Sequence, residues 1–155
     1  MASVRFSEPH GAVAPAGSER WSRLRAIRLP LLVAAPVLAL LMYDTVVSPF
    51  EPGHFPPCPF LATFGVYDPG DGGLRAVHAL MHGHPLRALD LNAYGIALSA
   101  MLAMLWGYWL YVRAAGLEFG RWASRVVRIA LVTAVVVAPV FAVVRNLPFG
   151  QVLAP

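Results

Sequence analysis

Three long apolar stretches dominate the pattern of hydrophobic and polar positions, at about 29–47, 92–112 and 126–144. Each is long enough to cross a bilayer, which takes roughly twenty residues of helix at about 1.5 Å per residue. Pro30 lies in the first stretch and Pro139 in the third. Such prolines are tolerated in membranes because neighbouring helices satisfy the carbonyls that they free. We therefore expect three transmembrane helices with kinks but without interruptions.

The more polar segments predict two further features. Residues 1–28 have no sustained apolar period, so we expect a mobile tail there. Residues 74–89 carry apolar and polar faces at helical spacing and are interrupted at 83–85, where glycine and proline suit a stop and a restart. This helix is too short to cross the membrane, and we place it on the membrane surface. The predicted fold class is an all-α membrane protein, with a three-span membrane domain over 29–155 that includes a loop and surface helix at 48–91.

The composition agrees with this pattern. The 155-residue chain is 58% hydrophobic and 13% charged, with a mean hydropathy of +0.62, which leaves too little polar surface for a soluble domain of this size. All twelve basic residues are arginines, which indicates a GC-rich bacterial gene. The net charge of +4 does not indicate nucleic-acid binding, because the arginines flank apolar stretches instead of clustering on one exposed face. The expected partners are the lipid bilayer and another membrane protein or a second copy of the chain.

The positions of the arginines predict the orientation of the chain. Short segments on the cytoplasmic side of a membrane are enriched in arginine and lysine. Nine of the twelve arginines precede the first apolar stretch or lie between the second and the third, whereas the 48–91 loop has two arginines and four acidic residues. We therefore expect a cytoplasmic amino terminus, and a 48–91 loop and carboxyl terminus outside the cell membrane. The nine are Arg5, Arg20, Arg23, Arg25, Arg28, Arg113, Arg121, Arg125 and Arg128.

Two of the apolar stretches carry small residues at every fourth position. Rows of small residues let helix backbones approach closely inside a membrane. Two interpretations remain open: packing of the second stretch on the third within one chain, which we favour, and a seam between two copies of the chain. The rows are Gly95, Ser99, Ala103 and Gly107 in the second stretch, and Ala130, Ala134, Ala138 and Ala142 in the third.

The segment YDPGDGGLRAVHALMHGH at 67–84 begins with turn-forming residues. Asp68, Pro69 and Gly70 fit a type II turn, in which proline fixes φ at the second position and glycine accepts the positive φ of the third. Asp71 then falls where the N-cap of the following helix belongs. Both aspartates therefore have a structural role in the turn and the cap.

Several short motifs in combination resemble a known family. The motifs are CPF at 58–60, DPGDGGLRA at 68–76, HG at 82–83, LN at 91–92, and RNLPF with LAP near the carboxyl end. Over roughly residues 56–155 the chain is similar to an uncharacterised bacterial membrane-protein family, domain of unknown function 2752. The resemblance implies no established activity. In that family the loop usually reads Cys-Pro-Gly-Cys-Gly, so Asp68 and Asp71 take the places of two cysteines.

Carboxylates in place of a cysteine pair suggest a different kind of ion site. Cysteine pairs hold soft or borderline metals or exchange disulfides, whereas carboxylates suit harder ions. His78 and His82 lie four residues apart on one helix face, and Asp68 and Asp71 in the preceding turn complete a set of four metal ligands. The alternative is that these residues serve only the turn and the membrane surface. Further candidate ligands are His54, Cys58 and His84.

Asp44 is an acidic residue near the outer end of the first apolar stretch. Carboxylates inside membranes are costly and often functional, so Asp44 is a candidate for an ion or proton path. The alternative is a structural ion pair with Arg145 or Arg75. We favour the ion pair, because three spans are few for a transport path.

Two functions fit these observations. The first is a non-enzymatic accessory or scaffold subunit that docks on a larger membrane assembly. The second is an outward-facing membrane protein that binds a metal or another ion at 68–84. No serine or cysteine lies in a recognisable nucleophile motif, so no catalytic residue is predicted, and the sequence identifies no cofactor. The missing cysteine pair favours the first function.

Overall fold

The computed structural model describes residues 16–51, 53–55 and 58–153, and this part of the chain is helical, without strands. Its elements are α1 (Ala16–Val46), α2 (Pro59–Phe64), α3 (Gly73–Met81), α4 (Pro85–Ala114) and α5 (Arg121–Asn146), followed by a 3-10 helix at Pro148–Leu153.

Three of the helices are long and apolar enough to cross a membrane. They are Leu24–Val46 within α1, the whole of α4 and the whole of α5, and the mean hydropathies of their most apolar windows are 2.0, 1.5 and 2.5. The predicted fold class, an all-α membrane protein with three spans, is confirmed. α4 runs antiparallel to α1 and α5, which gives the molecule two ends. We call the end with residues 44–51, 53–55, 58–92 and 141–153 the loop end, and the end with residues 24–28 and 113–128 the arginine end.

α1 begins at Ala16, well before the apolar stretch. Residues 16–28, which we expected in a mobile tail, are therefore helical, while residues 1–15 lie outside the described residues. The segment contains alanine, glutamate, arginine and leucine, which have high helix propensity. The adjoining span also supplies the costly nucleus from which a helix extends. The helix consequently begins well before its apolar pattern does, so that pattern does not locate the start of α1.

The prolines inside α1 and α5 do not interrupt these helices, as predicted. A proline has no N–H, so the carbonyl four residues before it loses its helical donor. For Pro30 that carbonyl belongs to Ala26, and Nε of Arg113 in α4 donates to it at 3.1 Å. One turn away, Nε1 of Trp106 donates to the carbonyl of Pro30 at 3.1 Å. Side chains of α4 thus bind the disturbed part of α1.

α4 is divided at Asn92, whose φ of −163° and ψ of 87° are not helical. Its Oδ1 accepts a hydrogen bond from the amide of Gly95 at 2.6 Å, which is the N-cap bond of a helix that starts at residue 93. A Cβ at Gly95 would lie 3.1 Å from the Asn92 side chain, so the glycine makes room for this cap. The second span therefore starts close to residue 92, where its apolar pattern begins.

The buried core lies at the loop end, between α3 and the first turns of α4. Ala76, Ala79 and Ala88 are buried there, and Leu91 and Ile96 pack on them. The spans contribute little to this core, since none of the residues in the most apolar window of α5 is buried. Helices that are apolar on all sides are typical of membrane spans. The most closely packed part of the protein is therefore the loop end, where α3 lies against the first turns of α4.

Candidate functional site

The turn at 68–71 is held by its own carboxylates. Oδ1 of Asp68 accepts hydrogen bonds from the amides of Gly70 at 2.6 Å and of Asp71 at 2.9 Å. Oδ2 of Asp71 accepts from the amide of Asp68 at 2.7 Å. Short polar side chains commonly bind nearby backbone amides in this way. Each aspartate therefore stabilises the backbone at the other.

Two details of the predicted turn are wrong. Gly70 does not adopt a positive φ, so the turn is not type II, and the left-handed residue is Gly72 with φ of 77°. Gly72 also occupies the N-cap position of α3, and no side chain caps that helix. The physical reason is that the Asp71 carboxylate turns back to the Asp68 amide and is no longer available to the amides of α3.

Two side chains from distant segments bind the carbonyls of this turn. Arg145, in the last turn of α5, is fully buried, and its Nη1 donates to the carbonyls of Asp68 at 2.9 Å and of Asp71 at 3.1 Å. Nδ2 of Asn92, which is also buried, donates to the carbonyls of Pro69 at 3.0 Å and of Asp71 at 2.9 Å. Partly buried carbonyls without donors are costly. These bonds therefore fix the loop on both α4 and α5.

Asn146, next to Arg145, binds the start of the loop. Its Oδ1 accepts from the amide of Tyr67 at 2.9 Å, and its Nδ2 donates to the carbonyl of Tyr67 at 2.8 Å. The guanidinium of Arg145 lies 5.5 Å from the ring centroid of Tyr67 and 5.0 Å from that of Phe141. At such distances an aromatic ring attracts a cation. The end of α5 is therefore the main anchor of the loop.

Cys58 lies against the two aspartates. Its Sγ donates to Oδ2 of Asp68 at 3.4 Å, and one ligand atom from each of Cys58, Asp68 and Asp71 lies within 4.8 Å of the other two. The backbone amide of Leu61 favours the thiolate. Desolvation and the carboxylates of Asp71 and Asp68 favour the thiol, and together they raise the pKa of Cys58 above its ordinary value.

The structure does not bring the four predicted metal ligands together. Asp68 and Asp71 lie with Cys58, while His78 and His82 stack on each other along α3 with ring centroids 4.2 Å apart. The metal hypothesis for these four residues thus divides into two separate clusters. The other candidate histidines, His54 and His84, are exposed.

Asp44 is fully buried at the end of α1, and no arginine in the described part of the chain pairs with it. Within the described residues its ion-pair contact is with His78, whose Nδ1 lies 3.9 Å from Oδ2 of Asp44. Neither carboxylate oxygen has a hydrogen-bond partner. The predicted pairing with Arg145 or Arg75 is therefore wrong. The reason is that the carbonyls of the loop hold Arg145, whereas Asp44 faces α3.

The two rows of small residues differ in exposure. All four alanines of the row in α5 are half-buried, whereas Ser99 and Ala103 of the row in α4 are exposed. α4 meets α5 through Tyr94, whose hydroxyl donates to the carbonyl of Ala134 at 2.9 Å. Direct packing of one row on the other stays a prediction.

Residues 58–106 match the model of a family described as "Protein of unknown function (DUF2752)". This match confirms the family resemblance found in the sequence motifs. It is shorter than the expected range of 56–155 and leaves out the RNLPF motif. No curated protein and no solved structure matches the chain.

The segment that matches this family model contains Cys58, the 68–71 turn and Asn92, and the structure brings these motif residues together at the loop end. Sequence reasoning did not find the loop carbonyls and amide that Asn92 and Asn146 bind, and it assigned the wrong partner to Arg145. The available signal was their presence in the LN and RNLPF motifs. Because their partners are backbone groups, no residue type in the loop revealed the pairing.

Proposed function

We propose that the protein is a non-enzymatic accessory or scaffold subunit of a larger assembly in a bacterial cell membrane. The observation that carries this proposal is the contrast between a loop that side chains hold by hydrogen bonds and spans that bury few of their apolar side chains. Arg145, Asn92 and the two aspartates of the turn bind backbone groups, which builds a fixed surface. The spans leave nearly all of their apolar side chains uncovered. A fixed loop surface, together with spans whose apolar side chains are free to contact another protein, fits a docking subunit better than an enzyme.

α5 offers the surface for a membrane partner. Val132, Val136, Val140 and Val143 recur every three or four residues and are all exposed, on the side of the helix opposite the alanine row. β-branched side chains have one strongly preferred rotamer in a helix, so they lose little entropy when another helix packs on them. This valine face therefore favours a protein partner over lipid alone.

Photocrosslinking tests the docking proposal. A photoreactive residue at position 136 is expected to capture a protein in native membranes. The matched control is position 104, because Met104 on α4 is 70% exposed and lies outside the valine face, and we expect it to capture lipid only. If both positions yield lipid adducts only, and the protein extracts as a lone monomer in mild detergent, the docking proposal is wrong.

The arginines support an orientation with the loop end outside the cell. In a Cys58→Ser background, we expect a membrane-impermeant maleimide added to whole cells to label Gly70→Cys but not Glu118→Cys. Position 70 lies in the exposed part of the turn and position 118 in the exposed segment between α4 and α5. The reverse labelling would place the loop end in the cytoplasm and contradict this orientation.

A second candidate function is binding of a divalent cation. It is favoured by the convergence of Cys58, Asp68 and Asp71, since thiolate sulfur and carboxylate oxygen are both zinc ligands. Titration of the purified protein with Zn²⁺ tests this candidate. Binding that is lost in Cys58→Ser and retained in His78→Gln would support it, and a parent protein that does not compete with a chelator for Zn²⁺ would exclude it.

A further inference from the structure

A cluster of ionisable side chains lies at the loop end, apart from the turn. Asp44 of α1 is fully buried, and among the residues that the structure describes its two carboxylate oxygens have no hydrogen-bond partner. Burial of an ionised carboxylate without donors is costly, so such a group requires a cation or becomes protonated. The ionisable groups that act on Asp44 are His78 and His82, both on α3. These two histidines are therefore the groups that can supply a proton to the Asp44 carboxylate.

The hydrogen bonds of the histidines define which ring atoms are free. Nδ1 of His78 is bonded to the backbone carbonyl of Asp44, and Nδ1 of His82 to the backbone carbonyl of His78 at 2.8 Å. A carbonyl oxygen only accepts, so both Nδ1 atoms carry hydrogen and both Nε2 atoms remain to take up a proton. Each ring is thus held as an acceptor at Nε2 and a donor at Nδ1.

The exposure of the three side chains decreases from the surface to the interior. His82 is exposed, the side chain of His78 is 15% exposed, and that of Asp44 is 1% exposed. The two imidazoles stack with centroids 4.2 Å apart. The stack therefore connects the exposed ring to the ring beside Asp44.

The stacked geometry does not suit a metal ion. The ring planes differ by only 28°, and because each nitrogen lone pair lies in its ring plane, the two Nε2 lone pairs lie in separate stacked planes. A zinc ion needs its ligand nitrogens to converge at about 2.0–2.1 Å. A proton has no such requirement.

We propose that His82, His78 and Asp44 form a proton-transfer chain that loads Asp44, at the end of the first span, from the surface of the loop end. His82 binds a proton at Nε2; that N–H bond then breaks and, through one water, an N–H bond forms at Nε2 of His78, which becomes a cation. Its Nδ1–H bond then breaks, and an O–H bond forms on Oδ2 of Asp44. His78 is left neutral with hydrogen on Nε2, and Asp44 is left neutral. One water or a rotation of the carboxylate spans the 3.9 Å between Nδ1 and Oδ2.

The other charged groups near these three side chains are Arg87, Arg75 and Glu51. Arg87 of α4 lies over the ring of Phe50, 4.7 Å from its centroid, and Phe50 meets His78 edge-on at 6.0 Å. The aromatic ring therefore separates this cation from the imidazole. Arg75 lies on α3 itself, and Glu51, beside Phe50, is exposed.

Infrared spectroscopy of the full chain in lipid nanodiscs tests the proposal. The carboxyl C=O band of Asp44 is assigned by its loss in Asp44→Asn. After transfer into D₂O, the shift of this band reports proton exchange at Asp44. We expect His78→Gln and His82→Gln to slow this exchange about a hundredfold, the lower end of what a positioned acid–base group contributes.

His84→Gln is the matched control. His84 is an exposed histidine just after α3, and its side chain makes no cap hydrogen bond, so its exchange rate should equal that of the parent. His82 is exposed as well, and its substitution is expected to leave the fold intact, which a parent-like circular dichroism spectrum checks. Equal exchange rates in all four proteins, or no Asp44 carboxyl band at any pH from acidic to alkaline, would overturn the proposal.

Discussion

The two ends of the molecule use arginine in opposite ways. At the loop end, Arg145 is fully buried and binds two backbone carbonyls. At the arginine end, Arg113 is exposed and makes one such bond, to Ala26. An apolar groove lies beside it between α4 and α5, lined among others by Leu105, Trp109 and Val127. The guanidinium of Arg113 therefore makes a single exposed bond between two spans, whereas the guanidinium of Arg145 is buried and holds the loop on α5.

The largest expected effect comes from removing the guanidinium at each end. Arg145→Met removes the two hydrogen bonds that the guanidinium donates to loop carbonyls, and the free energy of unfolding should fall by about 2–4 kcal/mol. Arg113→Met removes one bond at an exposed position and should cost about 0.5–1.5 kcal/mol. Thermal unfolding in detergent measures both. Equal losses at the two ends would contradict the contrast between them.

The glycines of the turn sharpen the description of the loop end. Gly72 has a positive φ and Gly70 does not. Gly72→Ala should therefore cost about 1–2 kcal/mol, the penalty of a Cβ in the left-handed region. At Gly70 a Cβ would meet only the Asp68 carboxylate, at 3.2 Å, so Gly70→Ala should cost less. The same thermal measurement decides, and a larger loss at Gly70 would restore the type II turn.

The role of Asp71 is tested by two substitutions. Asp71→Asn keeps an oxygen that accepts from the Asp68 amide, so stability should change little. Asp71→Ala removes the acceptor and should cost about 0.5–1.5 kcal/mol, the net value of one hydrogen bond. A chelator added to the parent serves as the control. If Asp71→Asn is as damaging as Asp71→Ala, and the parent loses stability with chelator, the carboxylate acts as an ion ligand.

The smallest effect expected is on the reactivity of Cys58. Its pKa is raised, with the Asp68 and Asp71 carboxylates among the causes, so at a given pH less of it is thiolate than for a free cysteine. Maleimide labelling of Cys58 should therefore rise only at higher pH. Asp68→Asn removes one of these charges, lowers the pKa and should move the labelling curve to lower pH. An unchanged curve would mean that the carboxylates do not influence the thiol.

The spans were predictable because hydropathy over twenty residues needs no knowledge of the rest of the chain. The predictions that were wrong concern hydrogen bonds and ion pairs between residues far apart in the sequence. Arg145 was expected to find Asp44 because opposite charges attract, but carbonyl oxygens accept a guanidinium N–H equally well and are present at every residue. Because every residue has a backbone carbonyl, the sequence of the loop does not indicate which of its carbonyls bind Arg145.

The turn shows a second limit of sequence reasoning. Asp71 was placed correctly beside the start of α3, yet two amide donors compete for its carboxylate, one before it and one after it. The structure assigns it to the earlier one, at Asp68. Local propensity does not distinguish these choices, since both satisfy the same group at the same cost.

The bond between Arg113 and Ala26 also sets how far α4 is displaced along α1. The unpaired carbonyl exists only because Pro30 stands four residues later, so the proline marks one height and one side of α1. Moving the proline by one position would rotate the unpaired carbonyl by about 100° around the helix, away from Arg113. Pro30, a residue type that usually breaks helices, thus determines how α4 is aligned along α1.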